Sequence, residues 1–176
     1  MNKKLIRFLI TAVLLYVGWY LLYQFYIEPT TKIDYYISKN ISAGTIIVLE
    51  LLGYTAAPFE ESYHVIVGIA DSFNAGVWIG NECNGLKLFS IFATFIIAFP
   101  GGWKKKLWFI PLGIVIIHLL NILRVVALVL INHFRNEALE FNHTYTFTFL
   151  MYLIIFGLWY IWVTKFGIKA LNVEKK

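Results

Sequence analysis

The run LWFIPLGIVIIHLLNILRVVALVLI, residues 107–131, decides the fold. It contains no Asp, Glu or Lys, and it exceeds the roughly 20 apolar residues that a helix needs to cross about 30 Å of hydrocarbon. Its strongly polar side chains are His118, Asn121 and Arg124. Three further runs read as spans: 8–27, 84–100 and 145–166. The first follows Lys3, Lys4 and Arg7 and starts like a signal peptide. Its apolar part is too long for one, and no small-x-small cleavage site follows it, so it reads as a retained anchor.

Composition agrees. Hydrophobic residues make up 60% of the 176-residue chain and charged residues 14%. Mean hydropathy is +0.71. Soluble domains carry nearer ~25% charge. The expectation is an all-α integral membrane protein, one membrane domain over 1–176, with a bundle of about four or more transmembrane helices. The run 41–57 is ambiguous. It is short and holds Glu50, which is costly in lipid unless it is paired or faces protein. It reads as an interfacial, re-entrant or additional helix. Within 62–80, Tyr63–Ile69 and Val77–Ile79 are β-branched and aromatic, with Asp71, Ser72, Asn74 and Gly76 between them. That pattern predicts a short extracytoplasmic β-hairpin.

The net charge of +5 does not suggest nucleic acid, because the basic residues lie in short clusters between apolar runs. Lys3, Lys4 and Arg7, then Lys104–Lys106, then Lys165, Lys169, Lys175 and Lys176 account for ten of the 15 Lys and Arg. The positive-inside rule puts both termini and the 101–106 turn in the cytoplasm. Residues 28–83 and 132–144 then face outward, provided that 41–57 does not cross alone.

Cys83 is the only cysteine. It cannot form an intramolecular disulfide, and it offers at most one metal ligand. Its neighbours are Asn81, Glu82, Asn84 and Gly85 rather than the apolar residues usual around a structural cysteine. The topology puts Cys83 at the outer end of the second span and His143 at the outer start of the fourth. Arg124 lies seven residues before 131, about 10 Å below the outer boundary. A charged Arg in a spanning helix costs ~2.5–3.5 kcal/mol on insertion scales. Cys, His and Arg form an acyl-transfer set. A neighbouring cation lowers a thiol toward its thiolate, His143 is suited to activate Cys83 and protonate a leaving amine, and Arg124 is suited to an oxyanion. Of the other histidines, His118 beside Asn121 reads as an interhelical hydrogen-bonding residue, His133 as an alternative base, and His64 as structural. No metal-binding spacing, Gly-rich phosphate loop or Gly-x-Ser-x-Gly elbow is present, so no metal or cofactor is expected.

Cys83-Asn84-Gly85-Leu86 resembles the cysteine motif of the exosortase/archaeosortase family, and Asn121-Ile122-Leu123-Arg124-Val125 is similar to its arginine motif. His143 follows at a distance typical of the exosortase branch. The resemblance covers about 80–145, and the chain looks like a short Bacteroidetes-type exosortase. It implies a membrane-embedded cysteine peptidase or transpeptidase of the bacterial inner membrane, with its active site facing the periplasm. It would cut C-terminal sorting tails of secreted proteins through a Cys83 acyl-enzyme, with His143 as acid/base and Arg124 stabilising the transition state. Asn84, Gly85 and Asn121 would support the site or bind substrate. Membrane lipid is an implied partner, and the acyl acceptor stays open between water and an amine on a lipid or glycan. The competing readings are a non-catalytic membrane scaffold and a small transporter subunit of an envelope export system.

Overall fold

The computed structural model describes residues 3–61, 64–70 and 76–167. Helix α1 (Lys3–Leu22) continues through a π-helical turn, Tyr23–Ile27, into the single turn α2 (Glu28–Thr30). Helix α3 (Ile33–Leu51) precedes strands β1 (Ala56–Glu61), β2 (His64–Ile69) and β3 (Val77–Trp78). Then come α4 (Leu86–Ala98) and the long α5 (Trp103–Phe134). The last helical run joins a 3-10 turn (Asn136–Ala138), α6 (Leu139–Phe141), a π turn (Asn142–Thr146), α7 (Phe147–Trp162) and a closing π turn (Val163–Gly167).

This is a helical integral membrane protein with a small antiparallel sheet. Among the described residues, three helices are long and apolar enough to cross a membrane: Leu5–Thr30, Trp103–Phe134 and Asn136–Gly167. The sequence runs 8–27, 107–131 and 145–166 fall inside them. The run 84–100 folds as α4, whose 13 residues extend about 20 Å. Tyr63, Asp71, Ser72 and Asn74 of the expected hairpin, and Lys169, Lys175 and Lys176, lie outside the described residues.

The chain groups into two compact units. The first takes the described residues of Met1–Thr30, Lys87–Ile117 and Leu153–Lys176. Its interior is aromatic. Phe95 stacks on Trp159 with ring centroids 4.3 Å apart, and Phe8 meets Phe95 and Phe99 edge-on. Phe109 packs on the fully buried Trp162. Gly113 permits the approach of Phe92, because a Cβ there would stand 2.2 Å from the ring's Cζ. Lys106 is buried and donates to the carbonyl of Ile97 at 2.6 Å. It thereby satisfies one of the carbonyls that the end of α4 leaves open.

The second unit takes Thr31–Leu86 and His118–Tyr152. Its sheet has the order β1-β2-β3, antiparallel throughout. Register runs from Ala56↔Ile69 to Glu61↔His64 in the first pair, and pairs Ile66↔Trp78 and Val67↔Val77 in the second. Val65, Val67 and Ile69 of β2 face a core with Ile41 and Leu49 of α3 and Val125, Leu128 and Val129 of α5. Gly44 lets α3 lie close to α5, since a Cβ there would be 2.8 Å from Ile122 Cδ1.

The ambiguous segment 41–57 is resolved differently from its apolar outline. Its helix starts earlier, at Ile33, and stops at Leu51. Gly53 takes φ +88°, and the Tyr54 N–H returns to the Leu49 carbonyl. That six-to-one bond is a Schellman stop. The chain then forms β1, a third strand that the hairpin reading lacks. Its sequence, AAPFEE, has no β-branched residue to announce it. Pro58 is tolerated because β1 is an edge strand. Glu50 sits exposed near the end of α3.

Candidate active site

Cys83 lies in the turn between β3 and α4. Its N–H donates to the Gly80 carbonyl at 2.8 Å. Its own carbonyl accepts from Asn121 Nδ2 at 2.7 Å. Both backbone polar groups of the residue are therefore tied.

The two residues after it set the start of α4. Asn84 is fully buried, and its Oδ1 accepts from the Leu86 N–H at 3.0 Å. A side-chain oxygen on an early helix N–H is what an N-terminal cap supplies. The amide end of Asn84 donates to Asp34 Oδ1 at 2.5 Å. Gly85 has φ +82°, a conformation that a Cβ disfavours. The Cys-Asn-Gly-Leu stretch thus reads physically as thiol, cap, left-handed hinge and first helical residue.

Asn121 and Arg124 are three residues apart on α5, so they share one helix face. While Asn121 holds the Cys83 carbonyl, Arg124 Nη2 stands 3.9 Å from Cys83 Sγ. Arg124 is only 7% exposed. Its Nε and the Oδ1 of Asn121 are buried with no hydrogen-bond partner among the described residues. Buried polar groups are normally paired. Unpaired ones beside a thiol leave hydrogen-bonding capacity for a group that enters the site.

His143 completes the cluster. Its Nε2 lies 2.6 Å from Cys83 Sγ. The ring comes from the π turn Asn142–Thr146. A π turn widens the backbone and frees carbonyls, and such turns often mark functional sites. Here the His143 carbonyl accepts from Thr148 Oγ1 at 3.2 Å.

Burial pushes the Cys83 thiol above the ordinary cysteine range. The Arg124 charge opposes the rise, and Glu82 adds to it. This corrects the expectation of a thiol lowered by its basic neighbours, because here desolvation outweighs the Arg124 charge.

The structure brings Cys83, Arg124, His143, Asn84, Gly85 and Asn121 together in one unit. The other histidines lie elsewhere. His118 Nε2 is 2.8 Å from Asn40 Oδ1, a bond between α5 and α3. His133 lies edge-on to Tyr54 and Phe134. His64 packs its ring on Trp78. Asp34 is the residue that sequence reasoning missed. An acid in the first turn of a helix is ordinary, so only its burial beside Asn84 separates it from a routine charge.

Fold and cluster together define a helical membrane protein with a Cys–His–Arg constellation at a sheet-to-helix junction, in which Cys83 and Arg124 are buried and His143 is half-buried. The model of the transmembrane exosortase family (Exosortase_EpsH) matches residues 2–160, and the chain belongs to that family. No curated protein and no solved structure matches the chain.

Proposed function

We propose that this exosortase is a membrane-embedded cysteine peptidase or transpeptidase. Its substrates are secreted proteins bearing C-terminal sorting tails, and it cuts them at the outer face of the bacterial inner membrane. Cys83 is the nucleophile, His143 the acid/base and Arg124 the electrostatic stabiliser. The observation that carries this reading is the contact of Cys83 Sγ with His143 Nε2 at 2.6 Å, with Arg124 Nη2 at 3.9 Å from the same sulfur. Family membership supports the chemistry. The basic clusters support the orientation, with both termini in the cytoplasm, in which α4 crosses as the fourth span beside the three long helices.

The steps follow from the geometry. His143 Nε2 takes the thiol proton as Sγ forms a bond to the substrate carbonyl carbon. Negative charge then gathers on the carbonyl oxygen, where Arg124 offers a fixed donor. Such preorganised donors supply the largest single share of many rate enhancements. The imidazolium returns its proton to the leaving amine as the C–N bond breaks, which leaves a thioester on Cys83. The acceptor, water or an amine on a lipid or glycan, gives its proton to His143 and attacks the thioester. The Cys83 sulfur leaves as the new acyl bond forms and regains its proton from His143. Asn121 holds the Cys83 carbonyl, and Asn84 with Gly85 holds the turn, so Sγ does not drift during the cycle.

The test is a covalent trap. Membranes containing the enzyme and a tail-bearing substrate are quenched in acid, and the thioester is sought on the peptide containing Cys83 by mass spectrometry. The acyl adduct on Cys83 is expected. Tail processing by the Cys83→Ala protein at the wild-type rate would sink the peptidase reading.

A further inference from the structure

A cavity of about 540 Å³ opens beside the cluster. His143 forms part of its wall. Gly76 and Trp78 of the β3 segment form another part, and Glu137, Leu139 and Glu140 of the helical run after α5 form a third. Two features of this wall belong to no step of the chemistry.

The first is the outer edge of the sheet, where among the described residues no strand pairs with β3. β3 is the terminal strand of the sheet. The Ile79 N–H donates to the Val65 carbonyl at 2.8 Å, and Val77 pairs with Val67. Antiparallel hydrogen bonds alternate along a strand. Val77 and Ile79 therefore turn their backbone groups toward β2, and Trp78 turns its N–H and C=O away from it. Gly76 has the same parity as Trp78. Its carbonyl accepts from Asn132 Nδ2 at 3.4 Å rather than from β2. Trp78 is 57% exposed. An open edge with paired donor and acceptor is what an extended peptide needs in order to add as a further strand.

The second feature is charge. Glu137 and Glu140 are three residues apart, so they project from one side of the helical run. Both are exposed, and neither makes an ion pair among the described residues. Among the described residues, they and His143 are the titratable side chains of the cavity wall.

We propose that this cavity seats the substrate of the reaction: an extended peptide segment pairs with the outer edge of β3 at Trp78 and places a Lys or Arg side chain between Glu137 and Glu140. The segment then runs alongside the strand that leads through Ile79 and Gly80 into Cys83. Its scissile carbonyl is delivered to the thiol while the cationic side chain sets the register. This assignment rests on the peptidase reading and adds a specificity to it: a basic residue close to the cut.

The test uses the full-length enzyme in detergent and tripeptide chloromethyl ketones. Cys83 displaces chloride from these probes and forms a thioether. Three probes carry Lys at one position each among alanines, and three matched probes carry Gln. Each labelling rate is divided by the rate with iodoacetamide, which cancels changes in thiol reactivity. One Lys position is expected to label at least about fivefold faster than its Gln counterpart, the scale of two exposed ion pairs. The Glu137→Gln/Glu140→Gln double variant should lose that preference. Methylation of the probe's backbone nitrogens should slow labelling by a similar factor. Equal rates for Lys and Gln probes at all three positions overturn the proposal, as does a preference that survives the double glutamine variant. Failure of the peptidase reading is a separate result, read as tail processing that continues in Cys83→Ala.

Discussion

Asp34 and Asn84, fifty positions apart, share a buried hydrogen bond of 2.5 Å from Nδ2 to Oδ1. Through it the first turn of α3 holds the residue next to the proposed nucleophile. The opposite end of the Asn84 side chain holds the Leu86 N–H. Asp34→Ala should leave the Asn84 amide with an unmet buried donor, at a cost of about 1–3 kcal/mol. Asn84→Ala should lose both contacts. Thermal unfolding of the two single variants and the double variant should show strong non-additivity, because the two side chains form one unit. Additive losses would mean that the pair does not act as one.

The proposed roles of Cys83 and His143 separate by substitution. Cys83→Ala should abolish tail processing, because the chain has no other thiol. Cys83→Ser should be almost as inactive, since a hydroxyl is a poor nucleophile without a strong base. His143→Ala should be nearly as severe, because it removes both the acceptor of the thiol proton and the donor to the leaving amine. His118→Ala and His133→Ala should retain processing. The assay compares variants at matched membrane abundance, and wild-type turnover by His143→Ala would remove it from the mechanism.

Arg124→Lys tests geometry rather than charge. Lys keeps the positive charge but cannot reproduce the planar guanidinium fork. Loss of one oxyanion donor costs roughly 10²–10³ in rate, and a loss of that order is expected. A Lys variant with near-normal turnover would reduce Arg124 to a general electrostatic role.

The thiol itself has a predictable pH response. Burial raises Cys83, Arg124 lowers it and Glu82 raises it. Alkylation by iodoacetamide should therefore rise with pH through a midpoint above that of free cysteine. Arg124→Gln should move the midpoint further up, because a charge favouring the thiolate is gone. Glu82→Gln should move it down. A midpoint below that of free cysteine in the wild type would reverse the assignment of desolvation as the dominant influence.

Orientation is open to chemistry on intact cells. A membrane-impermeant maleimide should reach Cys83 from outside, slowly, because the residue is only 6% exposed. Reporter tags on the two termini should both signal the cytoplasm. A terminus found outside would require an odd number of crossings and a new face for Cys83.

The membrane class, the three long helices and the residues proposed for the site were legible in the amino-acid order. Apolar length along 107–131 is a one-dimensional signal, and a single thiol or an Arg amid Val, Ala and Leu stands out without coordinates. The Asn121–Arg124 pair was legible for the same reason, since spacing on a helix places both on one face. Other features were decided only in three dimensions. The third strand, Ala56–Glu61, carries no β signature of its own and is held by register with β2. Asp34 became part of the site through packing of α3, which local sequence does not encode. The upward push on the Cys83 thiol depends on how much water the fold removes, and the Arg124 charge alone pointed the other way. Sequence names the groups that can do chemistry. Desolvation and long-range pairing, which arise only when distant segments meet, set the state in which they wait.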